Sequence, residues 1–233
     1  MKTTKKKTAK RSSPRQSLGT TAYKAIYKKI ISLEYKPGEN LEEKEIMKHL
    51  GLGRTPVREA LLRLSAEFMV ESNPNKGFVV RQITLQNTRA VFEALKIFEI
   101  GVAGLAVRQD ATPFLSRMME ANETIKTLEE KGDILGLVEA NHDFHMNFAR
   151  CSRNEYLTRG IYEVRCEANR LAYLSYGSDI EMSSSLHEHY ASVIRQHEEI
   201  MEIIQKRNEA RLVQVTCEHI KNFQQRIINY MTS

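Results

Sequence analysis

The sequence is poor in cysteine and has no long apolar run, and each of these absences excludes a class of protein. The three cysteines, Cys151, Cys166 and Cys217, are odd in number, far apart and without CxxC spacing. This pattern favours reduced thiols in a cytoplasmic protein over a disulfide framework or a zinc knuckle. No stretch of about 18 apolar residues is present, so the sequence predicts no membrane-spanning helix. The basic N-terminus is not followed by an apolar segment and therefore does not resemble a secretory signal.

The sequence also lacks the short motifs of several common enzymes. It contains no HExxH motif, no nucleophile elbow and no phosphate-binding loop. We therefore expect a protein that is not an enzyme. A metal-dependent hydrolase is the alternative, because the histidines discussed below are suited to holding a metal ion that activates water.

What the sequence does have is an uneven distribution of charge. Residues 1–83 carry 18 Lys and Arg against 8 Asp and Glu, whereas residues 84–233 carry 17 against 21. A basic half of this kind indicates a nucleic-acid partner, since each phosphate that a cationic side chain neutralises releases a counterion. The length of 233 residues and the 41% hydrophobic content allow two domains with real cores. Residues 1–17, rich in Lys, Ser and Thr, are predicted to form a disordered basic arm.

Residues 18–83 show the pattern of a winged helix-turn-helix. Turn signals at 36–38 and 51–53 separate three helical segments, and the third is predicted to start with Thr55 as N-cap and Pro56 in the first helical position. A turn-rich segment at 72–77 lies between two β-prone stretches and predicts a hairpin, which beside a helix-turn-helix is a wing. The predicted elements are helices at 20–33, 43–50 and 55–66, a short strand at 40–42, and hairpin strands at 69–71 and 78–81.

The start of the third predicted helix carries the residue types that read DNA. Arg54 and Arg58 are four residues apart and project in similar directions from a helix tip that, in a helix-turn-helix, faces base edges. Arginine suits bidentate contact with guanine, which is worth about 1–3 kcal/mol against a wrong base. Thr55 and the first backbone N–H groups can meet a phosphate, and Lys44 flanks the same surface. Solvated arginines on an exposed helix, or a nonspecific architectural DNA-binding protein, are the alternatives.

From residue 84 onward the pattern is helical almost throughout. The predicted fold class is therefore mainly α, with a winged helix-turn-helix followed by an all-α helical bundle at 84–233. Six helices are predicted, at about 85–109, 112–131, 133–151, 154–176, 182–206 and 208–231.

Three of these helices carry metal-capable side chains within their apolar stripes. Asn141, His145, His197 and His219 occupy positions that should face the interior of the bundle. Buried imidazoles need partners, because an unpaired buried polar group costs about 1–3 kcal/mol. One divalent metal ion would satisfy them together, whereas ordinary core histidines bonded to carbonyl groups or water are the alternative. Three other histidines of this half are predicted to be solvated, namely His142, His187 and His189.

The first domain resembles the DNA-binding domain of the GntR family of bacterial regulators. The resemblance rests on the turn at 37–38, the entry at 41–43, the core at 53–61 (GRTPVREAL) and the wing tip at 76–77. It implies a homodimer that binds a short inverted repeat in double-stranded operator DNA. Gly53 stands where some relatives have a hydroxyl residue, so one phosphate contact is expected to be missing. The residues expected to contact DNA are Lys44, Arg54, Thr55, Pro56, Arg58, Lys76 and Gly77.

The second domain resembles the FCD effector domain of the FadR subfamily, and its six predicted helices resemble the VanR-type branch. The resemblance rests on residues 93–99, 141–145, 152–154, His197 and His219. It implies a divalent metal ion (Zn, Ni or Mn) at the floor of a ligand cavity, held by Asn141, His145, His197 and His219. Many relatives have Asp in place of the amide, so we expect weaker metal binding and a more positive site that favours an anionic ligand.

The implied ligand of this cavity is a small organic acid. Lys96 stands where relatives commonly have Arg, and it would anchor a carboxylate as a point charge without a bidentate fork. Arg165 is a second candidate for contact with this effector. Its binding is expected to shift the bundle and the spacing of the two DNA-binding heads, with a coupling free energy of about 1–3 kcal/mol.

Overall fold

The computed structural model describes residues 17–74, 77–177 and 185–232. All but the last position of the predicted basic arm lies outside the described residues, and so does Lys76 at the predicted wing tip. The helices are α1 (Leu18–Ile31), α2 (Glu43–Leu50), α3 (Arg54–Ala66), α4 (Leu85–Ala106), α5 (Thr112–Lys131), α6 (Ile134–Cys151), α7 (Glu155–Tyr176), α8 (Leu186–Lys206) and α9 (Glu209–Thr232). The strands are β1 (Asn40–Leu41), β2 (Val70–Asn73) and β3 (Gly77–Val80).

The first three helices and the sheet share one hydrophobic core, as expected for a winged helix-turn-helix. Ile26 and Ile30 of α1, Val57 and Leu61 of α3 and Phe78 of β3 are all buried in it. The strand order is β1-β3-β2 and both pairings are antiparallel, so the hairpin predicted from the turn-rich segment is present. Because one face of α3 is fixed against this core, its opposite face points outward.

The start of α3 differs from the prediction. Gly53 is the N-cap, with extended backbone (φ −71°, ψ 171°), and the helix begins at Arg54. The prediction that Thr55 caps the helix is therefore wrong, because Thr55 already lies in the first turn. Glycine has no side chain, so no side-chain hydrogen bond caps α3 within the described residues. This leaves the positive end of the helix open to an anionic group.

The second domain is an all-helical bundle of six helices, α4 to α9, in the described part of the chain. Local hydrogen bonds set several of their starting points. The hydroxyl of Thr84 accepts from Asn87 N, and the Asn154 side chain accepts from two backbone N–H groups of α7. A capping box of Ser185 and Glu188 begins α8. Over the described ranges, no helix is both long and apolar enough to cross a membrane.

α7 makes several of the contacts between the two domains. The hydroxyl groups of Tyr162 and Tyr23 lie 2.6 Å apart, and Asn169 Nδ2 donates to Tyr27 Oη at 3.1 Å. The fully buried Arg170 also donates to the carbonyl oxygen of Arg81, in the interdomain connection, at 2.7 Å. Three residues of one helix therefore hold the first domain and its connection to the second.

The charge of Arg170 has its partner within α7 itself. Arg170 Nη1 pairs with both carboxylate oxygens of Glu167, at 3.1 and 3.2 Å. Its buried charge is therefore compensated within α7 while its other nitrogen holds the Arg81 carbonyl.

Candidate DNA-binding surface and metal centre

The outer face of the first domain gathers most of the predicted DNA contacts. Arg54 and Arg58 are exposed at the start of α3, with 72% and 51% of their side-chain surface accessible. Arg54 lines a broad groove together with Lys44 of α2 and Gly77 of β3. Thr55 is exposed beside them. The structure thus brings cationic and backbone groups from α2, α3 and the wing to one surface.

The wing contributes the backbone of Gly77 to this surface. Gly77 has φ +75°, a left-handed conformation that favours glycine, and a Cβ atom placed there would meet no atom within 4 Å. The constraint at this position is therefore the backbone conformation rather than a neighbouring side chain. Pro56, also predicted at the interface, is partly buried in the first turn of α3.

In the second domain, α6, α8 and α9 bring three histidines together. His145, His197 and His219 are buried, and their ligand atoms all lie within 4.8 Å of one another. Two of the facing nitrogens, His145 Nε2 and His219 Nε2, are 3.2 Å apart. His197 stacks on Phe144, with ring centroids 3.5 Å apart and an interplanar angle of 6°, which fixes the plane of this imidazole. The predicted inward stripes therefore converge on one point.

Two oxygen acceptors orient two of these rings. His197 Nδ1 lies 3.0 Å from Asn122 Oδ1, and His219 Nδ1 lies 2.9 Å from Gln196 Oε1. The amide of Asn122 is itself oriented, since its Nδ2 donates to the carbonyl oxygen of Ile194. When each Nδ1 carries the proton, each Nε2 presents a lone pair, which is the form that binds a metal ion.

His145 has a carboxylate and a guanidinium at the same nitrogen. Its Nδ1 lies 3.3 Å from Glu99 Oε1 and also contacts Arg165 Nη2, and these two partners form a buried ion pair. If Nδ1–H donates to Glu99, the Nε2 lone pair is free. If Arg165 donates to Nδ1, then Nε2–H donates to His219. Only the first tautomer is competent to bind a metal ion.

The electrostatic environment keeps all three imidazoles neutral. Burial lowers the pKa of His145, His197 and His219 well below the ordinary value for histidine, and the neighbouring rings and Arg165 lower these pKa values further. Neutral imidazole is the form that binds a metal ion, so at neutral pH these three side chains need not lose a proton before they can act as ligands.

Unsatisfied buried atoms test whether these residues fit a cation. His197 Nε2, Asn141 Oδ1 and Glu99 Oε2 are buried and have no hydrogen-bond partner among the described residues. Each is an electron-pair donor, and buried donors without partners are costly unless something positive compensates them. The donor set of three imidazole nitrogens and an amide oxygen therefore fits a divalent transition metal.

The cavity beside this cluster is small. It is lined by Asn141, Arg165 and His219 among others, and its free volume is about 20 Å³. That is room for about one water molecule and far below the roughly 300 Å³ of an ordinary ligand pocket. Arg165 is thus where the sequence predicted it. Lys96 is not, because it is exposed and its neighbour Leu95 lines the cavity instead.

Two histidines predicted to be solvated are enclosed. His189 is buried with Nε2 3.1 Å from Tyr176 Oη, and burial lowers its pKa to about 3. His142 is only partly buried, but its Nδ1 lies 3.0 Å from Asn169 Nδ2 and desolvation lowers the pKa of its imidazole to about 4. The prediction was wrong for both. Five histidines share a pKa lowered by burial, and we refer to them as the buried histidines although His142 keeps some exposed surface, namely His142, His145, His189, His197 and His219.

Three residues of the site were not predicted as functional. Glu99, Asn122 and Gln196 supply the acceptors at the Nδ1 atoms described above. Asn122 is a buried polar residue among the apolar side chains of α5, which is a signal that the sequence offered. The sequence offered no such signal for Gln196, because nothing in its position directly before His197 distinguishes it from the other glutamines.

Comparison with known families agrees with this architecture. Residues 18–80 match the model described as bacterial regulatory proteins, gntR family, and residues 90–222 match the model of the FCD domain. The second match alone covers more than half of the chain. The two matched regions coincide with the winged helix-turn-helix and the helical bundle.

Individual relatives are similar over nearly their whole length. The transcriptional regulator YdhC of Bacillus subtilis is 22% identical over 86% of this chain and 89% of its own. The transcriptional repressor RspR of Escherichia coli is 21% identical over 92% of this chain and 90% of its own. The solved structure of McbR/YncC from E. coli has the same fold, with a TM-score of 0.77 and 22% identity over 94% of this chain and 99% of its own. The chain therefore belongs to the GntR family of bacterial transcriptional regulators, as a member that carries an FCD domain.

Proposed function

We propose that the protein acts in the cytoplasm as a homodimer that binds an inverted repeat of double-stranded operator DNA in a sequence-specific manner. The observation that carries this proposal is the placement of Arg54 and Arg58 at the exposed, open start of α3, with Lys44 and Gly77 on the same side. In this arrangement the tip of α3 enters the major groove and the wing lies along the backbone.

The neighbouring residues complete the proposed interface. Thr55 and Pro56 lie in the first turn of α3, where the free helix start attracts a phosphate. Lys76, which lies outside the described residues, belongs to the proposal through its position next to Gly77.

We further propose that His145, His197 and His219, with Asn141, hold a divalent metal ion such as Zn, Ni or Mn. The supporting observations are the convergence of the imidazoles and the unsatisfied Nε2 and Oδ1 atoms. When bound, the ion supplies a fixed positive charge beside Arg165, and this favours a small organic acid as effector.

The small cavity bears on how the effector acts. An organic acid does not fit in about 20 Å³ of free volume, so binding requires the lining helices to move. Arg165 lies on α7, as do Tyr162, Asn169 and Arg170, which contact the first domain. A shift of α7 therefore changes the position of the DNA-binding head, and the effector shifts operator affinity by its differential affinity for the two arrangements.

The test of the DNA-binding proposal is selection of bound duplexes from a random pool with the full chain. We expect an inverted repeat, and Arg58→Ala should weaken binding to it by about 5- to 150-fold at fixed salt, the equivalent of one lost bidentate contact. Arg89→Ala, which removes an exposed arginine from α4 that also pairs with a glutamate, is the matched control and should change affinity little. Recovery of no shared sequence would instead favour a nonspecific architectural protein.

A further inference from the structure

One carboxylate of α2 contacts both arginines at the start of α3. Glu43 Oε2 accepts from Arg54 Nε at 3.2 Å, and Glu43 Oε1 accepts from Arg58 Nη1 at 2.6 Å. Only 19% of the Glu43 side chain is exposed, in contrast to the two guanidinium groups. The carboxylate therefore supports the two arginines from the protein side rather than competing with them at the surface.

The pattern of donors leaves both arginines able to read a base. A guanidinium has five N–H donors, and guanine O6 and N7 need two that lie side by side. Arg54 uses Nε for Glu43, which leaves its Nη1 and Nη2 ends available within the described part of the chain. Arg58 uses Nη1, which leaves the Nε and Nη2 edge available. Each side chain is thus held in one orientation and keeps a bidentate pair.

A carboxylate at this place has a second effect, which is electrostatic. Nonspecific DNA binding depends on cationic groups near phosphates, and a negative charge beside them weakens it. Glu43 also lies in the first turn of α2, where a negative charge interacts favourably with the helix dipole. Its charge therefore works against nonspecific binding without disturbing the helix that carries it.

We infer that Glu43 is a positioning residue that sets the sequence specificity of this protein, by orienting the two arginines for base contact and by weakening nonspecific binding. The inference rests on the proposed DNA-binding function. Loss of the carboxylate charge frees both guanidinium groups to rotate toward phosphates, so affinity for the operator should fall while affinity for unrelated DNA rises or stays equal.

The experiment compares the full chain with its Glu43→Gln and Glu45→Gln variants. Both residues lie in the first turn of α2 and both changes remove one negative charge, but Glu45 is exposed and contacts neither arginine among the described hydrogen bonds. Affinity is measured for a duplex selected by the wild-type chain and for a scrambled duplex of equal length, each over a range of salt concentrations. Thermal unfolding monitors whether each variant is folded.

For Glu43→Gln we expect operator affinity to fall by about tenfold and affinity for the scrambled duplex to rise or stay equal, so the ratio of the two falls by at least about tenfold. Glu45→Gln should preserve that ratio to within about threefold. An increase in affinity for both duplexes would show that Glu43 is an inhibitory contact, and an unchanged ratio would show that it does not position the arginines. Either result overturns the inference, whereas intact operator binding by Arg58→Ala would refute the proposed function itself.

Discussion

Acidification of the metal-free protein should remove a large part of its stability before any carboxylate is fully protonated. The buried histidines all have a pKa held below the ordinary value of about 6.5 by burial. As the pH falls, a histidine whose pKa is lower in the folded state is protonated in the unfolded chain before it is protonated in the folded one. Stability is therefore complete above pH 6.5 and declines as the pH falls below it, down to the folded-state pKa.

The magnitude follows from the number of these groups. Between pH 7.5 and 5.5, each histidine that titrates only in the unfolded chain lowers the free energy of unfolding by about 1.4 kcal/mol. Together the five lower it by about 7 kcal/mol, against a typical total of about 5–15 kcal/mol. Asp143 and Glu167 act in the opposite sense, because burial raises the pKa of each carboxyl group and their protonation favours the folded state. They reduce the loss.

The assay is urea denaturation at a series of pH values in the presence of a chelator. The slope of the unfolding free energy against pH gives the protons taken up on unfolding, which we expect to reach about four to five near pH 5.5. His189→Asn and His142→Asn should each lower this number by about one. Uptake of less than one proton by the wild-type chain would refute the reasoning, since it would mean that the enclosed imidazoles are protonated in the folded state.

Two further changes test the contacts around the histidines and the domain connection. Asn122→Ala should lower zinc affinity by about 10- to 100-fold in competition with a chromophoric chelator, because His197 loses the acceptor that fixes its tautomer. The control is Asn147→Ala, which removes a buried amide that donates to a backbone carbonyl of α6. Equal zinc affinities of the two variants would count against the role of Asn122. Arg170→Met should lower the free energy of unfolding, measured in urea, by about 3–5 kcal/mol, because it leaves the buried Glu167 carboxylate unpaired. Adding Glu167→Gln should recover part of this loss. A loss below about 1 kcal/mol for Arg170→Met would show that water compensates the carboxylate.

Most of the fold could be predicted because its signals are local. Periodic apolar stripes gave six helices in the second domain, and the turn residues gave the hairpin. The start of α3 was misplaced because Thr55 is a good N-cap by type, and Pro56 suits the first turn as well as the first position. The preference of threonine for the N-cap position does not fix the helix start to within one or two residues, because glycine can adopt the same extended conformation at the cap.

The candidate site was predictable where a side chain shares a stripe with apolar neighbours, as His145, His197 and His219 do. It was not predictable where the decisive partner lies on another helix. Tyr176 encloses His189 from α7, and no spacing within α8 reveals that contact. Lys96 was misplaced by one position, since adjacent residues of a helix point about 100° apart and Leu95 takes the inward direction.

The hydrogen bond from Arg170 to the Arg81 carbonyl has a consequence for engineering and for evolution. It attaches the linker to the helical domain through a main-chain atom, so this bond does not depend on the side chain at position 81, whose guanidinium instead lies 5.4 Å from the centre of the Phe68 ring. The side-chain contacts of Tyr23 and Tyr27 with α7 are, by contrast, specific to their partners. A chimera that receives the first domain of a relative should therefore keep the hydrogen bond from Arg170 but lose the two tyrosine contacts with α7, unless both tyrosines are transplanted too.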